Sequence, residues 1–586
     1  MLRRISVRIF EDEVDVARSY IKRLRKLKPK WSVSGVLRSN YYFKNQDFIK
    51  RYANALRKAG LPEYPPGKGP KAKPKKPSIA VLPFANLSDD KEQEYFADGM
   101  TDDLITDLSK LSGLIVIARN SVFTYKGKAV KVQEIAKDLN VTHVLEGSVR
   151  RSGGKVRINA QLIDAQTGAH LWAEIFDREF TEIFALQDDV REKIVAALKV
   201  TLTADEKKKL ARRPTANLKA YETYLRAREA HQRFDAPGLT KALKLYQEAI
   251  DLDPTFADAY AGDALAATVI YFKGLFWILK EDDARQRAEQ SITRALKFDP
   301  GNVNAFRARA RIKSINGHHD DAIATARHAV AANSNKASAH RSLASALLFA
   351  GRKDQALREV EAAGRLDPKP DVIDGAASGL VYFANQRYEK AASIFRDALF
   401  QSPKSGGYLA NLMISYVQLG RMDEAKAALE LLLKVQPYYN VNLVSAWTQH
   451  WQKDVQRHYL ASLQKAGLPA WPYGFDGSKF ERLGGDEIKA LFTSSRHAGR
   501  TQRFGKFELD NAANGDWKLR LIETNYPATG GNGFVENGMR CLILDDMLFG
   551  RKICSPVYRN PAGTAAGRNE YVAPYITDIQ WFSVVD

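Results

Sequence analysis

The sequence predicts a multidomain protein of α/β plus all-α class: an α/β domain over residues 78–205, an α-superhelix over 215–437 and a small β-rich domain over 471–586. Three observations predict it. Alanine stands twelve residues ahead of a proline, or of a serine in its place, six times: Ala242 and Pro254, Ala288 and Pro300, Ala322 and Ser334, Ala356 and Pro368, Ala391 and Pro403, Ala425 and Pro437. Before that array, short apolar runs alternate with amphipathic stretches, the signature of strands feeding helices. After it, aromatic segments such as RFGKFEL, DWKLRLIE and IQWFSVV are separated by Gly, Asn and Pro, as strands are by turns.

The array has a steady period. Successive closing positions differ by 46, 34, 34, 35 and 34 residues, with one insertion near residues 271–283. Twelve residues before each marked alanine comes a second, usually small position: Ala230, Ala264 (allowing for the insertion), Ala310, Ala344, Gly379 and, as the exception, Met413. Small residues let paired helices approach closely. Five residues before four of the alanines come Gly317, Gly351, Gln386 and Gly420, where the chain must turn and glycine tolerates a left-handed backbone. Units such as FAGRKDQALREVEAAGRLDP and QLGRMDEAKAALELLLKVQP resemble tetratricopeptide repeats. That resemblance implies stacked helical pairs with a long groove that binds a protein or peptide and does not catalyse. Helix phase sets Arg307, Arg311 and Ser314 of one repeat beside Arg341 and Ser345 of the next, on the face opposite the packing positions. A cationic stretch there suits an acidic peptide or a terminal carboxylate. Phe383 and Ile414 fit either the inner face or the core.

In the α/β region, SIAVLPF reads as a strand, a helix runs near 98–111, LIVIARNS is a second strand and VKVQEIAKDLN a helix. Three alternating strands follow, separated by turns at Ser152 to Gly154 and Gln166 to Gly168, and a helix over about Ile183 to Leu202 closes the unit. SIAVLPFANLSDDKEQEYFADGMTDDLITDLSKLSGLIVIARNSVFTYKGK, with VLEGSVRRSGGKVRINAQLIDAQTGAHLWAEIFDREFTEIFALQDDV, resembles the TolB amino-terminal-like domain of bacterial signalling proteins. In many of those a class III adenylate or guanylate cyclase precedes the domain and tetratricopeptide repeats follow it, and the tail CSPVYRNPAGTAAGRNEYVAPYITDIQWFSVVD is also similar to theirs. The 77 residues ahead of Ser78 are fewer than the roughly 100 to 200 expected of a catalytic domain. They also supply no pair of metal-binding aspartates on successive strands, so cyclase activity is not expected.

The ends of the array are related to one another. KLKPKWSVSGVLRSNYYFKNQDFIKRYANALRKAGLPEYP runs parallel to KVQPYYNVNLVSAWTQHWQKDVQRHYLASLQKAGLPAWP. Residues 1–64 therefore read as a partial repeat helix and a helical cap, and 438–470 as the same cap closing the main array. A half-hairpin leaves Val16, Tyr20, Leu24 and Leu27 without their usual partner helix, which suggests a truncated, split or fused reading frame. Between cap and α/β domain, residues 65–77 are rich in Pro and Lys and read as a stiff, solvated linker.

Of the net charge of +21, residues 1–76 carry +15, from 21 Lys or Arg against 6 Asp or Glu. That basic end offers contact to an anionic partner, yet no base-stacking aromatics interleave its lysines, and nucleic acid is not the expected ligand. No apolar run is long enough to cross a bilayer and the start lacks a secretory core, so a cytoplasmic protein is expected. Both cysteines, Cys541 and Cys554, are then expected as buried thiols, although they fall in neighbouring strand candidates.

The catalytic search yields binding features and no reaction centre. Asp89, Asp90, Glu92, Glu94, Asp98, Asp102 and Asp103 read as solvated charge around a helix start, with Thr101 as its cap. His318, His319, Asp320 and Asp321 fall in a repeat turn without metal-ligand spacing, and GGNGF at Gly530 to Phe534 reads as a hairpin turn. No metal or other cofactor is expected. The function expected is a non-catalytic scaffold or regulator that binds protein partners through its groove. The alternatives are the regulatory remainder of a nucleotide cyclase and, more weakly, a nucleic-acid binder using the basic end.

Overall fold

The computed structural model describes residues 14–28, 32–33, 53–62, 76–90, 93–273, 275, 278–522, 529–544, 552–560, 570–575 and 577–585. The chain forms two units, 1–76 and 77–586. The linker residues 65–75 and Glu92 lie outside the described residues.

In the first unit, helix α1 (Val14–Leu27) buries Ala17, Ile21 and Leu24 with Val33, Ala55, Leu56, Ala59 and Leu61. The Val33 N–H donates to Pro62 O at 2.8 Å, and Gly60 turns the chain at φ 90°. The closing cap of the second unit repeats both features: Val441 N–H donates to Pro469 O at 3.0 Å and Gly467 has φ 85°. The sequence duplication is thus a duplication of backbone geometry.

The second unit begins with the α/β domain. Its strands are β1 (Ser78–Val81), β2 (Ala85–Asn86), β3 (Ile115–Val116), β4 (His143–Ser152), β5 (Lys155–Asp164) and β6 (His170–Glu179). The sheet order is β3-β1-β4-β5-β6, with β2 on β4. Pairings among β1, β2, β3 and β4 are parallel, and β4-β5-β6 is an antiparallel meander. Helices α2 (Glu94–Ser109), α3 (Arg119–Phe123), α4 (Val132–Leu139), α5 (Ile183–Ala197) and the short α6 (Ala204–Leu210) complete the domain. Two local expectations are corrected. The second strand stops at Val116 and its ARNS tail opens α3. Helix α2 starts at Glu94, so Thr101 is not a cap but a buried residue in its middle, donating to Ala97 O at 2.9 Å and accepting the Phe84 N–H at 3.0 Å.

Six antiparallel helical pairs follow: α7 (Leu218–His231) with α8 (Ala236–Leu252), α9 (Ala257–Lys273) with α10 (Glu281–Phe298), α11 (Val303–Ile315) with α12 (His319–Ala332), α13 (Ala337–Phe349) with α14 (Lys353–Leu366), α15 (Val372–Ala384) with α16 (Tyr388–Gln401), and α17 (Gly406–Gln418) with α18 (Met422–Val435). The marked alanines sit where helices touch: Ala242, Ala288, Ala322, Ala356 and Ala391 are wholly buried and Ala425 is 1% exposed. A side chain is not tolerated at Gly379, where a Cβ would stand 2.6 Å from the Phe395 ring. Gly317, Gly351 and Gly420 take φ of 78°, 76° and 74°, and Gln386 takes 59°. The turn is therefore left-handed in every one of those repeats, including the one without glycine.

Helices α19 (Val441–Trp447) and α20 (Lys453–Lys465) end the array. A ten-stranded antiparallel sheet then runs from β7 (Glu481–Arg482) through β8 (Arg496–Thr501), β9 (Gly505–Asn511), β10 (Asp516–Leu521), β11 (Thr529–Glu536), β12 (Met539–Leu544), β13 (Lys552–Ser555), β14 (Tyr558–Arg559) and β15 (Tyr571–Pro574) to β16 (Ile579–Val585). Its order is β13-β12-β11-β10-β9-β8-β16-β15-β14-β7, with α21 (Gly485–Leu491) against it. Here too the structure corrects the sequence reading. Gly530 to Phe534 is strand within β11, not a hairpin turn, and a Cβ on Gly533 would press on Leu542 and Trp517. Cys541 and Cys554 are not thiols but a disulfide: the register of β12 and β13 sets them directly opposite, Cα to Cα 3.9 Å. A redox compartment does not set a strand register, and the register brought the sulfurs together.

Candidate functional site

The site grows from one polar position in each repeat. The residue just before the closing position is Asp253, Asp299, Asn333 and Asp367 in the first four repeats. Each ends its second helix, and Asp253, Asp299 and Asn333 each turn one oxygen inward, accepting the N–H of Thr255, Gly301 and Asn335 at 2.9, 3.2 and 3.0 Å. Beyond these bonds the same side chains, with Asp367, reach the α/β domain and the segment that connects it to the repeats. Thr215 donates to Asp253, Arg212 pairs with Asp299, the Asn333 amide donates to Ser109 at 2.7 Å and Ser121 donates to Asp367 at 2.5 Å. Sequence reasoning missed this ladder. Its signal was present, since the last two repeats carry Ser402 and Gln436 at that position and no such contact is made there among the described residues.

Helix α2 seals the contact. Asp103 accepts from the Tyr221 hydroxyl, from Arg228 at 2.9 Å and from Gln187 at 3.4 Å, while Asp102 pairs with Arg228 and lies 3.9 Å from Arg119. Burial pushes the Asp103 carboxyl up to about 7, against the hydrogen bond from Tyr221. Asp98 and Glu94 pair with Lys126. These acids are structural partners and not the solvated helix-start charge expected of them. Asp320 and Asp321 pair with Arg352 and Lys313, the surface-turn role expected of that cluster.

The groove is thus occupied by the chain itself along much of its length. Toward the C-terminal repeats, α20 lies against α15 and α17, and the turn before it against α13. Tyr459 donates to Asn411 at 2.5 Å, Gln418 donates to Ser462 at 2.8 Å, and Phe349 and Phe383 stack on Trp451 and His458. Phe383 and Ile414 are core residues, 2% and 0% exposed.

Between α2 and the first helices of the repeats a cleft of about 530 Å³ remains. Arg307, Arg311 and Arg341 line it; Ser314, which is buried, and Ser345 do not. Arg341 is committed, donating to Asp367 Oδ2 at 2.7 Å and to its carbonyl at 3.0 Å in a setting that exposes 4% of its surface. Arg307 donates to Asn304 at 3.1 Å, and the Arg311 guanidinium stands 5.5 Å from the Phe272 ring centre. Eleven Lys or Arg against eight Asp line the cleft. Burial, reinforced by Arg307 and Arg311, lowers His231 to about 4, and burial with Arg307 lowers Lys336 to about 8. The arrangement is suited to binding an anion.

Two family descriptions match parts of the chain. Residues 75–193 match the family described as HilA/YgeH-like transcriptional regulator, second domain, and residues 382–438 match the tetratricopeptide repeat. A protein of Rhizobium meliloti (strain 1021) described as putative adenylate cyclase 3 is 50% identical over 194 residues, which are 33% of this chain and 33% of that protein. The chain thus spans about a third of the length of that relative. Among solved structures, YrrB, described as a TPR protein with an unusual peptide-binding site, is similar at 17% identity and a TM-score of 0.23, covering 33% of this chain and 92% of that one. Pseudomonas aeruginosa pilF is similar at 15% identity and a TM-score of 0.28, covering 38% and 95%. The paired helices of this chain are a tetratricopeptide repeat domain, set between an amino-terminal sheet domain and a carboxy-terminal β-rich one.

Proposed function

We propose that the protein is a non-catalytic scaffold in bacterial signalling, whose repeats bind a protein partner and whose cleft draws in an acidic segment of that partner through Arg307 and Arg311. The observation that supports this most directly is the cationic excess of a cleft left open in a groove otherwise filled by the chain. Repeats of this type bind through their concave face, and here the cleft is lined by α2 together with the first helices of the repeats. The test is recovery of partners by the tagged full chain from its own cells, beside an Arg307→Glu/Arg311→Glu variant. Arg341 is left intact because it holds Asp367. Loss of a partner from the variant is expected; an unchanged set removes the cleft from the reading.

The likeness to a putative adenylate cyclase favours a second reading, in which the chain regulates a class III cyclase domain. Adding the purified chain to such a domain and following cyclic nucleotide formation tests it. A rate independent of the added chain counts against it.

A further inference from the structure

We infer that the cleft holds a phosphoryl group, a compact dianion seated against Lys336, Arg307 and the N-terminus of α13. This rests on the reading of the cleft as a site for an anionic partner and names the chemistry of that anion. Most acids along the cleft are already matched: Asp102 and Asp103 with Arg228, Asp107 with Lys110 and Arg191, Asp299 with Arg212, Asp367 with Arg341. Lys336 and Arg307 are not. Among the described residues Lys336 makes no ion pair and no side-chain hydrogen bond. Arg307 donates to the neutral amide of Asn304, and its Nε is buried without a hydrogen-bond partner. Asp258, the acid that acts on Lys336, accepts from Asn302 at 2.7 Å. Among the described residues these two positive charges adjoin the cavity outside any ion pair, with Asp258 acting on Lys336 without contact, an arrangement whose cost in stability an added anion would offset.

The backbone adds donors of the same sense. Lys336 is the residue preceding α13, no side chain caps that helix start, and Ala337 and Ser338 line the cleft. The first amides of a thirteen-residue helix attract anions through their unpaired N–H groups and the helix dipole. A carboxylate would match one of the two charges. A phosphoryl group matches both and offers three acceptor oxygens, one each for guanidinium, ammonium and amide. Burial, with Arg307 beside it, holds the Lys336 ammonium down to about 8, and an anion at that position acts in the opposite sense. A volume of about 530 Å³ admits the ester that carries the phosphoryl group, whether a nucleotide-sized molecule or a phosphorylated side chain.

Isothermal titration of the full chain at low salt, with sodium pyrophosphate, then ATP, then a phosphoserine pentapeptide and its unphosphorylated form, tests the inference. Pyrophosphate is expected to bind, and Lys336→Met and Ser338→Glu each to weaken it at least tenfold, the second by placing a carboxylate at the helix start. Without anion, Lys336→Met is expected to melt no lower than the parent, yet to lose the rise in melting temperature that pyrophosphate gives, which separates loss of the site from loss of the fold. ATP binding without phosphopeptide binding supports a small-molecule ester, and phosphopeptide binding supports a partner's side chain. Absence of binding by every phosphate probe, or equal binding by both variants, overturns the inference. If Arg307→Glu/Arg311→Glu still loses a protein partner in that case, the scaffold reading stands and the phosphoryl group alone falls.

Discussion

His231 shows how the cleft acts on a single residue. It is 8% exposed on α7, with Tyr246 of α8 at 3.4 Å from its Nδ1 and Arg307 and Arg311 of α11 acting on it. Folding therefore lowers its affinity for a proton, from the ordinary value of 6.5 to about 4. Because the unfolded chain binds more protons between those values, this residue's contribution is intact above pH 6.5 and is lost as pH falls toward 4. Its full extent is up to about 3 kcal/mol. Urea denaturation of the parent and of His231→Gln across pH 4.5–7.5 should show the parent losing stability relative to the variant on acidification. Parallel profiles would remove the assignment. Asp103 acts in the opposite direction, its raised value favouring the folded state at low pH, so the comparison of variants is informative where the parent profile alone is not.

At the scale of the helical pair, the inter-helix turn has one geometry and two chemistries. Gly317 adopts φ 78° with no atom within 4 Å of where its Cβ would be, so Gly317→Ala costs only the strain of a left-handed alanine, about 1 kcal/mol. Gln386 already bears that strain at φ 59°. Gln386→Gly should gain a few tenths to about 1 kcal/mol, part of the relief being offset by the looser unfolded chain. Denaturant midpoints of the two single variants check this, and a loss of stability in Gln386→Gly would show that its side chain holds the turn. The same pattern of small residue, left-handed turn and closing proline made the repeats legible in the amino-acid sequence. Each feature answers a local requirement that recurs in phase.

For the unit formed by residues 77–586, the α/β domain and the first repeats share one continuous core, running from Ile79 of β1 to Ile315 of α11. Gly99 on α2 lies against Leu225 of α7, and a Cβ there would meet the Leu225 methyls at 2.8 Å. Gly99→Leu should wedge the two apart at a cost of about 1–3 kcal/mol and split a common calorimetric transition into two. A single transition at the parent's temperature would show that the domains unfold together for another reason.

Whatever depends on neighbours along the chain was legible from the residues alone. The period of the repeats, their small packing residues, the strand and helix alternation of the α/β domain and the duplicated cap are local or periodic requirements, each visible as a residue at a fixed spacing. What fills the groove was set by packing in three dimensions. Asp103 found Tyr221 and Arg228, Arg341 found Asp367, Trp451 and α20 folded onto Phe349 and Phe383, and Cys541 met Cys554 through a strand register. A charge or a thiol reads the same in sequence whether it meets water or a partner from a distant segment. Which of these it meets is set when the elements pack, because burial and pairing are properties of the assembled fold.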